Sequence, residues 1–263
     1  MRLEDYDVSQ RGATFHGHDF EGALFDDCLM PNARFKNVDF RGARMRGSLF
    51  VDVELTGEVQ GLTVNGVDVT AYVEAELDRR DPERVKMRPS DAAGFREAWD
   101  IVERRWADTV ARARRLDPEA LLERIDGEWS FVETLRHLVF ATDSWVRRVI
   151  LGEPSPYSPL DLPHEDMGNQ PGVPNDKDAR PSLDEVLALR RDRMASVRQV
   201  VDELTDERLT EQTVAVDAPG YPAPQPYPVA DVLLTVLNEE WMHRLYAERD
   251  LAVLEARRRP TAT

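Results

Sequence analysis

The last predicted helix of the chain holds a carboxylate and an imidazole at a spacing that allows joint chemistry. Glu239 and His243 lie four residues apart in the segment LNEEWMHRLYAERD, so they project one turn apart on the same side of a helix. Such a pair either shares a divalent metal ion or forms a hydrogen bond at the edge of the core. By itself the pattern favours the hydrogen bond, because short motifs often arise by chance. The apolar residues of this helix form a stripe, and Glu240 lies on the other side of that stripe from Glu239. Glu240 is the alternative carboxylate ligand.

Two other histidines are candidates for the same chemistry. His137 lies seven residues after Ser130, on the flank of an apolar helix face, where an isolated histidine is more often structural than metal-binding. His164 lies in a proline-rich loop, where we expect it to be exposed. If that loop folds over the end of the helices, His164 becomes a pocket residue or a further ligand. Three charged residues of the His137 helix are expected to face water: Arg136, Asp143 and Arg147.

Four long helices are predicted to position these residues. Apolar residues recur there at spacings of three to four, and Ser130 with Glu133 and Ser182 with Glu185 form capping boxes that mark two of the starts. Two long proline-rich loops separate the second helix from the third and the third from the fourth. This pattern predicts a four-helix bundle, an architecture that builds metal sites from facing helices. The predicted helices span about 91–115, 130–151, 182–204 and 229–256.

The first part of the chain repeats with a period of five residues, which fits neither a helix nor a strand. A large apolar residue occupies one register, and a mostly small residue, such as Cys28, comes two positions earlier. The large residues are Phe15, Phe20, Phe25, Met30, Phe35, Phe40, Met45, Phe50 and Leu55.

This period resembles that of the pentapeptide-repeat family, whose chains form a right-handed quadrilateral β-helix with four pentapeptides per coil. The resemblance implies an α+β chain, with little more than two β-helix coils before the bundle. The large residues would then stack inside, and we expect Cys28 to be a buried core thiol rather than a nucleophile. Apolar surface left by so short a β-helix would dock on the bundle or mediate a homodimer.

Several separated motifs of the helical part resemble the DinB/YfiT-like superfamily of metal-binding four-helix bundles. They are Trp129–Ser130 at the start of the second helix, His137 seven residues later, and Glu239 with His243 in the last helix. The last helix also resembles an actinobacterial branch that reads LNEEW-x-H-R-x-Y-A-x-RDL. The likeness covers about residues 90–257. It departs from the common pattern where Glu239 stands in place of a histidine.

The resemblance implies that His137, Glu239 and His243 bind a divalent metal such as zinc, nickel, iron or manganese, with His164 and Glu240 as further candidates. It also implies a metal-dependent enzyme, either a transferase of a small thiol of the mycothiol or bacillithiol type or a hydrolase, with a small-molecule substrate. Arg244 and Tyr246 are expected to be surface residues of the last helix, although they could orient a substrate. The alternative is a non-catalytic metal-binding or stress-response module, which the glutamate substitution favours.

A more remote alternative comes from the repeats, since long acidic pentapeptide β-helices can imitate duplex DNA. Two coils are too short for this, and the segment carries too many basic residues to imitate a phosphate backbone. These residues are Arg34, Lys36, Arg41, Arg44 and Arg46.

The composition limits the remaining classes of function. The 34 Lys and Arg residues against 50 Asp and Glu residues leave a net charge of −16, which argues against binding to nucleic acids. The single cysteine excludes an internal disulfide, and neither a signal peptide nor a membrane span is expected, so we expect a cytoplasmic protein. The predicted parts are a β-helix segment (1–70), a linker with a short helix (71–90), the bundle (91–257) and a disordered tail (258–263).

Overall fold

A computed structural model of the chain describes residues 10–164 and 167–258. The chain divides into two compact units, and the boundary between them falls after Gly57. Apart from residue 258, the tail predicted to be disordered lies outside the described residues. No helix in the described part is long and apolar enough to cross a membrane.

The first unit is built from turns that follow the five-residue period. A residue with a left-handed backbone occurs at every fifth position from Gly12 to Asp52, with φ between +50° and +74°, and each is Gly, Asn or Asp. These residue types tolerate that conformation best. Backbone hydrogen bonds of 2.9–3.3 Å close four-residue turns that are ten residues apart, for example from Ala23 N–H to the Phe20 carbonyl.

The quadrilateral β-helix predicted for this unit is not confirmed, because no strand is formed between residues 10 and 62. The large apolar residues are also exposed instead of stacked inside, with Phe15 57% and Phe35 60% accessible. Cys28 is exposed as well, so the prediction of a buried core thiol was wrong. The physical reason is size: a segment of about fifty residues without paired strands has too little chain to enclose a core.

A short hairpin and a helix begin the second unit. Strands β1 (Thr63–Val64) and β2 (Val67–Asp68) pair antiparallel, with Val64 opposite Val67. Asn65 and Gly66 form the turn with φ of +50° and +81°, as expected for an Asn-Gly hairpin. Helix α1 (Thr70–Arg80) follows, and a 3₁₀ helix (Pro82–Met87) leads to the bundle.

The four predicted long helices are present, and their ends agree with the prediction to within two residues when residues 143–150 are counted as part of the second one. Both predicted capping boxes are formed, at Ser130 with Glu133 and at Ser182 with Glu185. The second long helix changes from α to π geometry after Thr142, so its last eight residues (143–150) are wound more loosely. The helices are α2 (Ala92–Ala113), α3 (Phe131–Thr142), α4 (Leu183–Asp202), the short α5 (Asp206–Leu209) and α6 (Val229–Arg258).

The packing order of the bundle brings α3 and α6 side by side. Helices α2 and α3 each pack against both α4 and α6, so α2 and α3 lie diagonally across the bundle. The core between them includes Trp99, Leu135, Leu233 and Leu251, which are almost completely buried. Because α3 and α6 are neighbours, polar residues on their facing sides can meet.

Two charged residues of the α3 segment that were predicted to face water are instead buried. Arg136 donates hydrogen bonds of 2.6–3.1 Å to the carbonyls of Leu160, Asp176 and Ala179 in the loop between α3 and α4. Asp143 is also inaccessible, while Arg147 remains partly exposed. The prediction failed because the long loop folds back over this face and offers backbone carbonyls to a buried guanidinium.

Candidate metal centre

The bundle brings together one histidine from α3 and the glutamate–histidine pair from α6. His137, Glu239 and His243 each offer a ligand atom, and these atoms all lie within 4.8 Å of one another. Glu239 Oε2 lies 3.3 Å from Nε2 of His137 and 3.1 Å from Nε2 of His243. His137 is buried, and the other two side chains are partly accessible.

The hydrogen bond on the far side of the His137 ring determines which of its nitrogens carries the proton. Nδ1 lies 3.0 Å from the carbonyl oxygen of Leu162, which can only accept, so Nδ1 must be the donor. Burial lowers the pKa of His137, and the neighbouring Glu239 only partly offsets this effect, so the ring is neutral at physiological pH. In a neutral ring with a proton on Nδ1, Nε2 presents a lone pair.

That lone pair faces an ionised carboxylate. Burial alone would raise the pKa of Glu239, but its interactions with His137 and His243 outweigh burial and hold the pKa well below its usual range. His137 Nε2 and Glu239 Oε2 face each other at 3.3 Å, and the low pKa of Glu239 shows that the carboxylate favours positive charge at the two ring nitrogens. That positive charge is supplied either by a proton on a ring nitrogen or by a metal ion that both residues bind.

The donor set fits a divalent metal ion. Two histidine nitrogens and one carboxylate oxygen form a common ligand set for zinc and for other first-row metals. The separations of 3.3 Å and 3.1 Å are close to the roughly 3.3 Å expected between two ligand atoms at about 2.0–2.1 Å from one tetrahedral ion. The Leu162 carbonyl also supplies the outer hydrogen bond that a metal-binding histidine requires.

Aromatic rings enclose the three candidate ligands. The Trp129 ring lies 4.6 Å from the His137 ring and 5.9 Å from the His243 ring, centroid to centroid, so it covers both imidazoles. Tyr246 meets His243 edge-on at 5.9 Å, and Phe140 lies 6.0 Å from His137. The rings therefore shield part of the two imidazoles, while Glu239 and His243 remain partly accessible.

Glu240, the alternative carboxylate, lies outside this group of ligands. It is buried on the other side of α6, where its two oxygens accept hydrogen bonds of 2.6 and 2.8 Å from Arg190 of α4. The guanidinium of Arg190 also lies 5.5 Å from the centre of the Trp106 ring. Both oxygens of Glu240 are therefore used within the bundle.

His164 is exposed in the loop between α3 and α4 and is not one of the three grouped residues. The same loop contributes to the site through the Leu162 carbonyl, for which the sequence contains no signal because every residue has such a group. Arg244 also differs from its prediction as a surface residue. It is buried against Trp241, with its guanidinium 5.4 Å from the ring centre.

Nothing in the sequence indicated that two acids are buried together, Asp143 in the last part of the second long helix and Asp161 in the loop that follows it. Asp143 is held by Arg193 through two hydrogen bonds of 2.9 Å. Asp161 is inaccessible, and its carboxyl group lies close to the Asp143 carboxylate and to the backbone of Ser158. Burial and the nearby Asp143 carboxylate raise the pKa of Asp161 to about 9.

Comparisons with known proteins agree with this division of the chain. A family model described as the DinB superfamily matches residues 101–247, which are 147 of the 263 residues. A second model, for pentapeptide repeats, matches eight copies over residues 19–57. Searches of curated proteins and of solved structures return no significant match.

Proposed function

This chain belongs to the DinB superfamily, and from that premise we propose that it is a divalent-metal-dependent enzyme that transfers a low-molecular-weight thiol to a small electrophile. His137, Glu239 and His243 would hold the metal. The observation that supports this proposal is the convergence of two histidine nitrogens and one glutamate oxygen, all within 4.8 Å of one another.

The bound metal would keep a sulfur or water ligand deprotonated at neutral pH, which makes it a nucleophile. The second unit contains no cysteine, since Cys28 is the single cysteine of the chain, so a thiol nucleophile would come from a small molecule. Leu162 orients His137 through its carbonyl. Trp129 covers both imidazoles and would keep bulk water away from the nucleophile.

The alternative is a non-catalytic metal-binding or stress-response module, and one observation favours it. Trp129 lies against the rings of both candidate histidine ligands, which would leave little room for a substrate beside the metal. An enzyme needs an open coordination position in addition to the protein ligands.

Metal analysis of the native protein, purified without metal-chelate chromatography, tests the proposed centre. We expect about one divalent ion per chain. His243→Ala and His137→Ala should lose it, whereas the matched control His164→Ala, at an exposed histidine outside the cluster, should retain it. A metal-free protein that neither binds added zinc, nickel, iron or manganese nor gains thermal stability from them would exclude the centre.

The reaction is tested separately on metal-loaded protein. Mycothiol and bacillithiol are offered together with a small fluorogenic electrophile, and formation of the thioether is followed. We expect turnover with the wild type and His164→Ala, and none with His243→Ala. A fully loaded protein that transfers neither thiol and hydrolyses no ester or amide in the same screen would support the non-catalytic alternative.

A further inference from the structure

The first unit presents a continuous row of apolar side chains that nothing within the unit encloses. We call the nine large residues of the five-residue period the apolar row: Phe15, Phe20, Phe25, Met30, Phe35, Phe40, Met45, Phe50 and Leu55. They are between 46% and 71% exposed. Rings of the row touch at three places, with centroids 5.9 Å apart for Phe15–Phe20 and for Phe20–Phe25 and 5.4 Å apart for Phe35–Phe40.

The row is large enough to support a stable interface. A phenylalanine buries roughly 150–250 Å² when fully covered, so half-exposed rings offer on the order of 100 Å² each. The seven members from Phe15 to Met45, five of them such rings, would contribute on the order of 700 Å², close to what one partner contributes to a standard interface. Exposed apolar patches of this size usually mark interaction surfaces.

Charges flank the row unevenly, and this asymmetry indicates what covers it. Residues 10–33 carry one basic and four acidic side chains, a net charge of −3. Residues 34–57 carry five basic and three acidic side chains, a net charge of +2. Many of these charges directly adjoin members of the row, as Asp26 adjoins Phe25 and Arg34 adjoins Phe35. The sign changes close to Met30, the fourth of the nine residues.

We infer that the apolar row binds the apolar row of a second copy of this chain, antiparallel, around a two-fold axis near Met30. In this register Phe20 faces Phe40, and Phe25 faces Phe35. Asp26 then lies opposite Arg34, and Asp19 lies opposite Arg41. Arg41 also pairs with Asp39 of its own chain. Glu21 lies opposite Asp39, so that contact opposes the two favourable ones. The acidic half of each copy meets the basic half of the other, whereas a parallel arrangement would set like charges against each other.

Charge reversal in the full-length protein tests the antiparallel register. Asp19→Lys with Asp26→Lys, and separately Arg34→Glu with Arg41→Glu, should each weaken dimerisation at least about tenfold in sedimentation equilibrium. A chain carrying all four changes should dimerise with the wild-type affinity, as should an equimolar mixture of the two double variants. The matched control is Asp217→Lys with Asp231→Lys, two exposed acids of the second unit, which should leave the affinity unchanged.

A distance between spin labels attached to Cys28 of the two copies tests the register independently. Cys28 is exposed and lies two residues from the proposed axis, so spin labels on the two copies should be on the order of 20 Å apart. Moving the label with Cys28→Ser and Ser48→Cys should make the distance much longer in an antiparallel dimer and leave it short in a parallel one.

Three results would overturn the inference. The first is a protein that stays monomeric at high micromolar concentration, as expected if the row packs against helices of its own chain. The second is a dimer whose affinity does not change when the charges are reversed. The third is a short label distance at both positions. Far-UV circular dichroism of each variant verifies that a lost dimer does not reflect lost folding.

Discussion

At the scale of single residues, the two buried carboxyl groups Asp143 and Asp161 show how position determines protonation. Asp143 stays close to Arg193, which compensates its charge. Asp161 accepts no hydrogen bond from an arginine in the described part of the chain, and its pKa rises to about 9 because of burial and the Asp143 carboxylate. The folded protein therefore keeps a proton on Asp161 at neutral pH, which the unfolded chain releases near pH 4.

Asp161→Asn is expected to stabilise the protein and to weaken the dependence of its stability on pH. Between about pH 4 and pH 9 the folded state retains a proton that the unfolded state has lost, so the wild type loses stability as the pH rises. The variant lacks this penalty and should gain about 1–3 kcal/mol in the free energy of unfolding near pH 8, and less near pH 5. Urea unfolding at the two pH values measures the difference.

Asp192→Asn is the matched control for Asp161→Asn. Asp192 contacts the same arginine, Arg193, but is exposed, so its removal should change the free energy of unfolding by no more than about 0.5 kcal/mol. A loss of stability in Asp161→Asn near pH 8 would contradict the assignment of a neutral Asp161.

The candidate ligands could be predicted from the sequence, but their immediate surroundings could not. Glu239 and His243 are one helical turn apart, and the likeness of the helical part to a known superfamily added His137. The hydrogen bond from His137 to the Leu162 carbonyl depends on how a loop packs. The ion pair of Glu240 with Arg190 depends on how a neighbouring helix packs. Such contacts join residues far apart in the chain and leave no local pattern.

At the scale of elements, the pair of Arg190 and Glu240 joins α4 to α6 within the bundle. We expect Glu240→Gln to reduce the free energy of unfolding by about 3–5 kcal/mol, because it leaves a buried guanidinium without a counter-charge. Thermal unfolding followed by circular dichroism measures the loss. Glu123→Gln, which breaks the exposed pair with Arg257, should cost less than about 1 kcal/mol. Equal losses in the two variants would contradict this account.

The helices were predictable because their signals are local. Apolar spacing and the capping residues Ser130 and Ser182 mark helices whatever the rest of the chain does. The turn Asn65–Gly66 also carries a local hairpin signal. The buried state of Arg136 was not predictable, since its partners are carbonyls of a loop that begins many residues later. The exposure of the apolar row was not predictable either. A sequence repeat shows that its positions are equivalent, but it does not show whether they are buried.

At the scale of the whole molecule, the division after Gly57 suggests that the helical unit is self-sufficient. A chain shortened to residues 58–263 should keep cooperative unfolding, because the core and all three candidate ligands lie within it. It should also keep the metal affinity of the full chain. Calorimetry and metal titration of the shortened and full-length proteins test this expectation. Non-cooperative unfolding of the shortened chain would contradict it.

Comparing the shortened with the full-length protein also tests self-association, because we expect only the first unit to form the dimer interface. The shortened chain should be monomeric at concentrations at which the full-length protein dimerises, since it lacks the apolar row. Light scattering after size-exclusion chromatography distinguishes the two states. A dimer of residues 58–263 with the affinity of the full chain would assign the interface to the helices instead.

The left-handed residues that recur at every fifth position from Gly12 to Asp52 also restrict how this part of the gene can change in length. Inserting or deleting one codon would move a large side chain into the place of a left-handed residue and put every later repeat out of phase. Only gains or losses of five codons preserve the phase. The segment can therefore change in length only in steps of five residues if it is to keep its surface, as recombination between repeats would do.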